Sequence, residues 1–217
     1  MANLSIMSKA LRAPSRIDVA AKRLFDIASS TIGLIVLSPA LALIAIGIGI
    51  SSPGPIFYRG VRTGRYGKPF RILKFRTMVV DAEKLGGPST GKDDPRVTRI
   101  GRFLRRHKLD ELPNLVCVLR GQMSIVGPRP EVPEYTRLYQ GEEELILSIR
   151  PGITDLSSLR FIDLAEQIGS ENIDRNFESR VLPVKNQLRV KYVKEWSFGS
   201  DMKIVGSTLL RLLGISR

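Results

Sequence analysis

Two adjacent carboxylates, Asp110 and Glu111, stand in the segment LDELPNLVCVLRGQ at residues 109–122. An ionised carboxylate can attack a phosphorus atom when a divalent cation bridges it to the phosphorylated substrate and relieves the repulsion between them. Ligand sets made only of oxygen favour Mg²⁺ or Mn²⁺. We therefore take Asp110 and Glu111 as candidate catalytic residues and as candidate metal ligands. In isolation such a pair is more typical of a helix start, where acidic side chains stabilise the first turn.

The residues around this pair predict the start of a short helix. Asp110 is a favourable N-cap, Pro113 is tolerated in a first turn, and Gly121 follows the last apolar residue of the pattern. The apolar side chains that would anchor this helix are Leu112, Leu115, Val116 and Leu119. Because a helix N-terminus favours negative charge, this position is expected to keep Asp110 ionised.

A basic segment upstream supplies two candidate phosphate contacts. Residues 56–75 are rich in aromatic and branched side chains on both sides of a glycine-containing turn, which predicts a β-hairpin. Residues 59–76 carry many basic side chains and no acidic one. Lys74 and Arg76 are two apart, so both would lie on one face of a strand and could bind the same anion.

Two further arginines are candidate phosphate contacts. Arg105 belongs to a basic stripe with near-helical spacing, which is either a solvated helix face or a contact for phosphates and anionic lipid headgroups. The members of this stripe are Arg96, Arg99, Arg102, Arg105 and Arg106. Arg129 stands between two prolines, so a stiff backbone would present its guanidinium group to a phosphate.

An apolar run near the N-terminus is expected to hold the candidate catalytic residues at a membrane. Residues 27–50 contain no charged side chain, and about 20 apolar helical residues match the hydrocarbon core of a bilayer. Basic residues flank the run on both sides, so the positive-inside rule favours both ends on the cytoplasmic side. Pro39 can break a helix, and Ser38 can hydrogen-bond the backbone at the break. We therefore predict a re-entrant helix broken at Ser38-Pro39; a kinked transmembrane helix is the alternative.

Composition limits the remaining classes. The chain has 217 residues and a formal net charge of +13, which indicates an anionic partner: nucleic acid, anionic lipid or a phosphorylated substrate. Its single cysteine excludes an internal disulfide and a zinc cage built from cysteines. No helix-turn-helix or aromatic RNA-binding motif is recognisable, so nucleic acid is not predicted as a partner.

The predicted fold class is α/β in a broad sense: mainly helical, with a small basic β-hairpin or sheet. Residues 1–21 form a basic tail, 22–55 the re-entrant helix-break-helix, 56–200 the catalytic domain and 201–217 a C-terminal amphipathic helix. In this last helix Met202, Val205, Leu209 and Leu212 share one side, as in helices that lie in a membrane interface. Packing against the domain's own core explains the same pattern.

Several motifs in combination resemble the bacterial sugar transferases, and within them the small monotopic phosphoglycosyl transferases that act on polyprenyl phosphate. The resemblance covers nearly the whole chain. The matching residues are Lys22-Arg23, Asp26, Ser38-Pro39, KFRTM at 74–78, LDELPNL at 109–115, MSIVGPRP at 123–130, RPGIT at 150–154 and SFGSDMKI at 197–204.

This resemblance implies a two-step reaction. Asp110 attacks the phosphate that carries the sugar in a UDP-sugar, UMP leaves, and polyprenyl (undecaprenyl) phosphate then takes the phosphosugar from the carboxylate. Glu111 and Mg²⁺ support the chemistry, and Lys74, Arg105 and Arg129 contact phosphates. The product begins glycoconjugate, exopolysaccharide or O-antigen assembly. The enzyme would be monotopic in the bacterial inner (plasma) membrane, with its catalytic domain on the cytoplasmic face; a homodimer is compatible with this expectation.

Two departures from the family pattern limit what the resemblance implies, and the first of them bears on donor recognition. Many members follow the PGIT stretch with Gly, Ala-Gln and an Asn-Gly-Arg segment, whereas this chain has DLSSLR at residues 155–160. Arg189 stands about where some relatives carry an acid. The sugar is therefore not predicted. Two alternatives remain at the level of sequence: a membrane-tethered UDP-sugar hydrolase, and a basic membrane-binding or nucleic-acid-binding module without catalysis.

Overall fold

The computed structural model describes residues 15–86, 90, 94–161, 173–212 and 214–215. Within these residues the chain is mostly helical with a few small sheets, so the predicted fold class is confirmed at this level. The helices are α1 (Arg16–Ser51), α2 (Arg99–Arg106), α3 (Asn114–Leu119), α4 (Pro133–Thr136), α5 (Leu156–Arg160), α6 (Ile173–Asn176), α7 (Leu182–Glu195) and α8 (Phe198–Leu212). The strands are β1 (Phe57–Tyr58), β2 (Val61–Thr63), β3 (Pro69–Arg71), β4 (Lys74–Phe75), β5 (Ser124–Val126) and β6 (Gly152–Thr154).

Helix α1 is long and apolar enough, by length and composition, to cross a membrane. One stripe along its whole length is buried or half-buried against the rest of the chain; it consists of Lys22, Asp26, Ser30, Gly33, Leu37, Leu41, Ile44 and Ile48. The opposite side is apolar and open: Leu24, Ile35 and Leu43 are 71%, 68% and 70% exposed. A helix of this kind needs an apolar environment on its open side.

The helical backbone of α1 continues through Ser38 and Pro39. Ser38 and Pro39 thus lie within one helix, and the re-entrant path with its break at Ser38-Pro39 stays a prediction. Proline has no N–H, so the carbonyl of Ile35, four residues earlier, loses its usual helical donor. The Ser38 hydroxyl donates to this carbonyl at 2.8 Å, which explains how the helix tolerates the proline. The expectation that Ser38 satisfies the backbone beside Pro39 is confirmed.

The predicted hairpin at residues 56–75 is present as two small antiparallel sheets. Strand β1 pairs with β4, with Phe57 opposite Phe75 and Tyr58 opposite Lys74. Strand β2 pairs with β3 across a 3₁₀ turn at Arg65–Gly67. A third, parallel sheet joins β5 and β6, which are distant in sequence.

The buried core connects α1 and α8 to the domain. Ile48 of α1 clusters with Phe75 of β4 and Leu104 of α2. Val126 of β5 clusters with Ile204 of α8 and side chains of α7. The inner side of α8 therefore packs on the domain's own core, while Leu209 and Leu210 stay exposed. Contact between α8 and a membrane interface remains a prediction.

Candidate active site

Asp110 and Glu111 lie in a 3₁₀ turn, Leu109–Glu111, that connects α2 to α3. The helix predicted to begin at Asp110 begins only at Asn114, so that boundary is wrong. Lys108 has a φ of 57°, which reverses the chain before the turn, and the N–H of Leu112 donates to the carbonyl of Leu109, three residues earlier, at 3.3 Å. This spacing is that of a 3₁₀ turn and not of an α-helix. The two carboxylates therefore precede the helix instead of capping it.

Glu111 is held by two cations from distant parts of the chain. Its Oε1 atom accepts a hydrogen bond from Lys74 Nζ at 2.5 Å. Arg129 Nη1 donates to Oε2 at 2.8 Å, and Arg129 Nη2 donates to Oε1. The fold thus brings together three of the predicted site residues, which are 37 and 18 positions apart in sequence. The pairing of Arg129 with Glu111 is bidentate, which fixes its geometry as well as its charge.

The charges of this cluster favour the ionised forms of Glu111 and Arg129. Burial would raise the pKa of Glu111, but the charges of Arg129 and Lys74 outweigh it and keep the pKa well below its usual range. The neighbouring Glu111 raises the pKa of Arg129 further. Burial lowers the pKa of Lys74, and Glu111 opposes this effect. Glu111 therefore acts as a fixed anion that positions two fixed cations.

Asp110 has different surroundings although it is the next residue. Its side chain is buried, and no group among the residues that the structure describes hydrogen-bonds its carboxylate. Burial raises its pKa, while the charge of Lys74 opposes the rise. The expectation that a helix N-terminus keeps Asp110 ionised fails, because the helix does not begin there. A carboxylate that is close to cations but not bound by them is free to react.

The other two predicted phosphate contacts have different positions. Arg105 lies close enough for its charge to lower the pKa of Asp110, and its Nε donates to Thr77 Oγ1 at 2.8 Å. Arg76 instead points to the end of α1, where it donates to the carbonyls of Ser52 and Pro53. Strand β4 ends at Phe75, so the two-residue alternation that would place Arg76 beside Lys74 does not continue.

One member of the predicted basic stripe also lies elsewhere. Arg96 precedes α2 and is buried, with Nη2 2.7 Å from a carboxylate oxygen of Asp94. The exposed side of α2 carries the remaining cations Arg99, Arg102 and Arg106 around Phe103. These three arginines can still contact anions at a membrane surface.

A second group of buried charges supports Arg129 and was not recognised from the sequence as such. Asp155 accepts a hydrogen bond from the backbone N–H of Arg129 at 3.1 Å. Arg189, whose side chain is completely buried, lies 3.6 Å from Asp155 and 2.7 Å from Glu131. Asp155 begins the DLSSLR segment at residues 155–160, which together with Arg189 was noted in the sequence as a departure from the family pattern. Asp155 and Arg189 are charged residues among apolar neighbours, and charged side chains are rarely buried unless they are paired. This was the sequence signal that could have indicated a buried ion pair supporting Arg129.

The carboxylate oxygens of Asp110 and Glu111 meet the requirements of a divalent cation only in part. Within the described residues, no group of three or more His, Cys, Asp or Glu side chains could hold a metal. Both oxygens of Glu111 are bound by Lys74 and Arg129, whereas those of Asp110 are not. Mg²⁺ commonly uses one or two carboxylates together with substrate phosphates. Asp110 fits such a cation; Glu111 fits it only if one of its cationic partners moves.

The site is thus a carboxylate without hydrogen-bond partners among the described residues, beside a second carboxylate that is bound by two cations, and residues next to it face the middle of the long apolar helix α1. The model of the bacterial sugar transferase family matches residues 17–214 of this chain. The chain therefore belongs to that family, and the resemblance seen in its motifs is confirmed.

Individual relatives agree with this assignment. A Bacillus subtilis (strain 168) protein, provisionally named an undecaprenyl-phosphate N-acetylgalactosaminyl 1-phosphate transferase, is 49% identical over 57% of this chain and 69% of its own length. UDP-glucose:undecaprenyl-phosphate glucose-1-phosphate transferases of Escherichia coli (strain K12) and Caulobacter vibrioides are 39% and 36% identical over 88% of this chain. The match spans 39% of the E. coli protein and 69% of the Caulobacter protein. The predicted enzyme class, a phosphoglycosyl transferase, agrees with these names.

Proposed function

We propose that this protein transfers a phosphosugar from a UDP-sugar to polyprenyl phosphate, giving polyprenyl-diphosphate-sugar and UMP. The observation that carries the proposal is the contrast between the two carboxylates: Glu111 is fixed by Lys74 and Arg129, and Asp110 is free beside them. The relatives named above act on undecaprenyl phosphate by name and differ in their sugars. The proposal therefore specifies a UDP-sugar and leaves the sugar open.

The reaction proceeds by two displacements at one phosphorus atom. A carboxylate oxygen of Asp110 bonds to the phosphorus that carries the sugar, and the bond between this phosphorus and the oxygen of UMP breaks. An oxygen of polyprenyl phosphate then attacks the same phosphorus and releases Asp110. Because UMP leaves before the lipid phosphate enters, two highly charged substrates need not occupy the site together.

The cations around Asp110 bind and orient the phosphate groups. Lys74 and Arg129 have fixed directions because Glu111 holds them, and Arg105 adds a further positive charge near Asp110. Charges that are already oriented stabilise a developing negative charge without reorganising. Mg²⁺ or Mn²⁺, when bound through Asp110 and the substrate phosphates, would supply further charge neutralisation.

The contacts of α1 support a re-entrant path, and the basic residues on both flanks of α1 support a domain on the cytoplasmic face. Asp26 near one end and Ile48 near the other both contact the same domain. A straight helix leading away from the domain into the opposite leaflet would leave one half without such contacts. An apolar cavity of about 260 Å³ lies between α1 and the residues next to the dyad, among them Leu73 and Pro113. Such a cavity can hold the lipid end of the acceptor next to Asp110.

The test compares wild type with Asp110→Asn in the presence of Mg²⁺ and a panel of UDP-sugars, before and after addition of polyprenyl phosphate. We expect one UDP-sugar to release UMP and increase the protein mass by a phosphosugar, which added lipid then removes. Asp110→Asn should form no adduct, whereas the control Asp81→Asn, at an exposed carboxylate, should behave as wild type.

Two results would contradict the proposal. An equally active Asp110→Asn would exclude this residue as the nucleophile. Release of free sugar phosphate with lipid present would instead identify the enzyme as a UDP-sugar hydrolase.

A further inference from the structure

The N-terminal end of α1 holds the strand that leads into the Arg129 loop. Asp26 Oδ1 accepts hydrogen bonds from the backbone N–H of Ile125 at 2.9 Å and from Ser124 Oγ at 3.0 Å. One helical turn away, Lys22 Nζ donates to the carbonyl of Val126 at 2.7 Å. Arg129 follows Val126 after only two residues, so its position depends on where β5 is held.

The same end of α1 also holds the helix that follows the two carboxylates. Arg23 donates to the carbonyls of Val118 at 2.8 Å and Leu119 at 2.9 Å. These carbonyls lie at the C-terminal end of α3, where helical carbonyls lack intrahelical partners and favour a cation. Helix α3 begins three residues after Glu111, so Arg23 fixes the far end of the short helix that directly follows the turn with Asp110 and Glu111.

The opposite end of α1 is attached to the strand that carries Lys74. Arg76 donates to the carbonyls of Ser52 and Pro53 at 2.7 and 2.8 Å and to Ser52 Oγ at 2.8 Å. The backbone N–H of Arg76 also donates to the carbonyl of Ile56 at 2.8 Å. Lys74 is two residues upstream, so the C-terminal end of α1 and Lys74 share one support.

These contacts use charges at positions where charges are costly. Asp26 and Asp201 are each 1% exposed, and Lys22 bridges the second of them at 2.5 Å. Asp201 also accepts from Tyr192 at 2.6 Å and from Trp196 at 3.0 Å, so it joins α1 to α7 and α8. Buried ions of this kind impose a defined geometry, because any other arrangement leaves a charge unpaired.

We propose that Lys22, Arg23 and Asp26 are positioning residues of the active site, acting through the segments that they hold. Together with Arg76 they attach the two ends of the membrane helix to the three segments that carry Arg129, the dyad and Lys74. The distance from Asp110 to its surrounding cations therefore depends on how α1 is packed against the domain. This inference rests on the proposed function, since it assigns the residues to the first displacement at Asp110.

The test measures the rate of adduct formation at saturating UDP-sugar and the KM for UDP-sugar in the full-length protein. Lys22→Met should lower the rate about 10- to 100-fold, because displacement of catalytic groups by about 1 Å has effects of this size. The KM should change by less than about threefold, since the phosphate-binding side chains remain present. Lys22→Arg, which keeps a donor and a charge, should recover most of the rate.

The matched control is Arg16→Met, which removes one positive charge from an exposed position on the same helix end. It should retain the wild-type rate and the same partitioning into membranes. If Lys22→Met does not fold, Arg23→Met gives a second test, and a reduced rate with unchanged KM is expected there too.

A wild-type rate in folded Lys22→Met or Arg23→Met would overturn the inference. So would a loss of rate that only follows the fraction of folded or membrane-bound protein, because that would be a purely structural effect. If wild type itself forms no adduct with any donor, the proposed function fails instead.

Discussion

Asp110 and Glu111 are neighbours in sequence, but their surroundings give them separate roles. Glu111 has both oxygens bound by cations, and its pKa is kept low by Arg129 and Lys74 against the effect of burial. Asp110 has no such bonds among the described residues, and burial raises its pKa. Two carboxylates whose environments push their pKa values apart are characteristic of sites that divide labour between them. One carboxylate positions cations, and the other is available as a nucleophile.

Glu111→Gln tests this division of labour. Lys74 and Arg129 would lose their anionic partner in a half-buried site, so we expect the free energy of unfolding to fall by about 1–3 kcal/mol. Adduct formation on Asp110 should slow but persist. Urea denaturation and protein mass measure the two effects. Glu142→Gln is the control, because its ion pair with Lys194 is exposed and should matter by less than about 0.5 kcal/mol. Equal stability of the two variants would show that the cluster is not held by Glu111.

At the scale of elements, the close approach of β5 and β6 determines where Arg129 can lie. Gly127 directly follows β5, and a Cβ atom there would be 2.5 Å from the carbonyl oxygen of Arg150 and 3.0 Å from the backbone nitrogen of Gly152. Only glycine permits the two backbones to approach this closely. Pro128 then directs the chain so that Arg129 reaches Glu111.

Gly127→Ala should therefore separate β5 from β6 and displace Arg129. We expect a loss of about 1–3 kcal/mol in the free energy of unfolding, together with slower adduct formation. Gly206→Ala is the control: nothing lies within 4 Å of a Cβ at this helical position, so it should be neutral or stabilising by up to about 1 kcal/mol. Chemical denaturation of both variants measures the difference. Full activity of Gly127→Ala would show that the strand spacing is not required.

The sequence predicted elements whose signals are local and missed those that depend on tertiary contacts. The hairpin followed from its turn residues, whereas the roles of Asp110, Glu111 and Arg129 in binding phosphates and in catalysis stay predictions. The continuity of α1 did not follow from the sequence, because it depends on how the Ser38 hydroxyl replaces one donor. The direction of Arg76 also could not be predicted, since its partners Ser52 and Pro53 are brought near by the fold. The support that Asp155 gives to the backbone of Arg129, and its ion pair with Arg189, also could not be predicted, because these residues are far apart in sequence.

At the scale of the whole molecule, the excess of positive charge extends into the interior. Lys185 is 4% exposed and lies 5.1 Å from the ring centroid of Phe177. Burial lowers its pKa to about 8; Glu131 and Asp155 oppose the shift, and Arg189 and Arg129 add to it. A lysine in this setting makes stability depend on pH.

The direction of that dependence can be predicted. Between about pH 8 and the normal lysine value of about 10.4, Lys185 is neutral in the folded chain but still protonated in the unfolded one. The unfolded state then binds more protons, so the unfolding free energy should rise with pH by about 1.4 kcal/mol for each unit of pKa difference. Thermal denaturation of wild type and Lys185→Met across this window should show a rise that only wild type has. Lys203→Met, at an exposed lysine, should retain the wild-type dependence; a parallel curve for Lys185→Met would contradict the assignment.

The attachments of α1 also fix an order of events during synthesis of the protein. Asp26 is 99 residues away from its partner Ile125, and Lys22 is 179 residues away from Asp201. At about 5–20 residues per second, the ribosome needs about 5–20 seconds to add the segment that first binds Asp26. During this interval the nascent chain carries an apolar helix whose later contacts do not yet exist. The bilayer or a chaperone must therefore bind the apolar surface of α1 first. The rest of the chain then folds against a helix whose open side is already in an apolar environment.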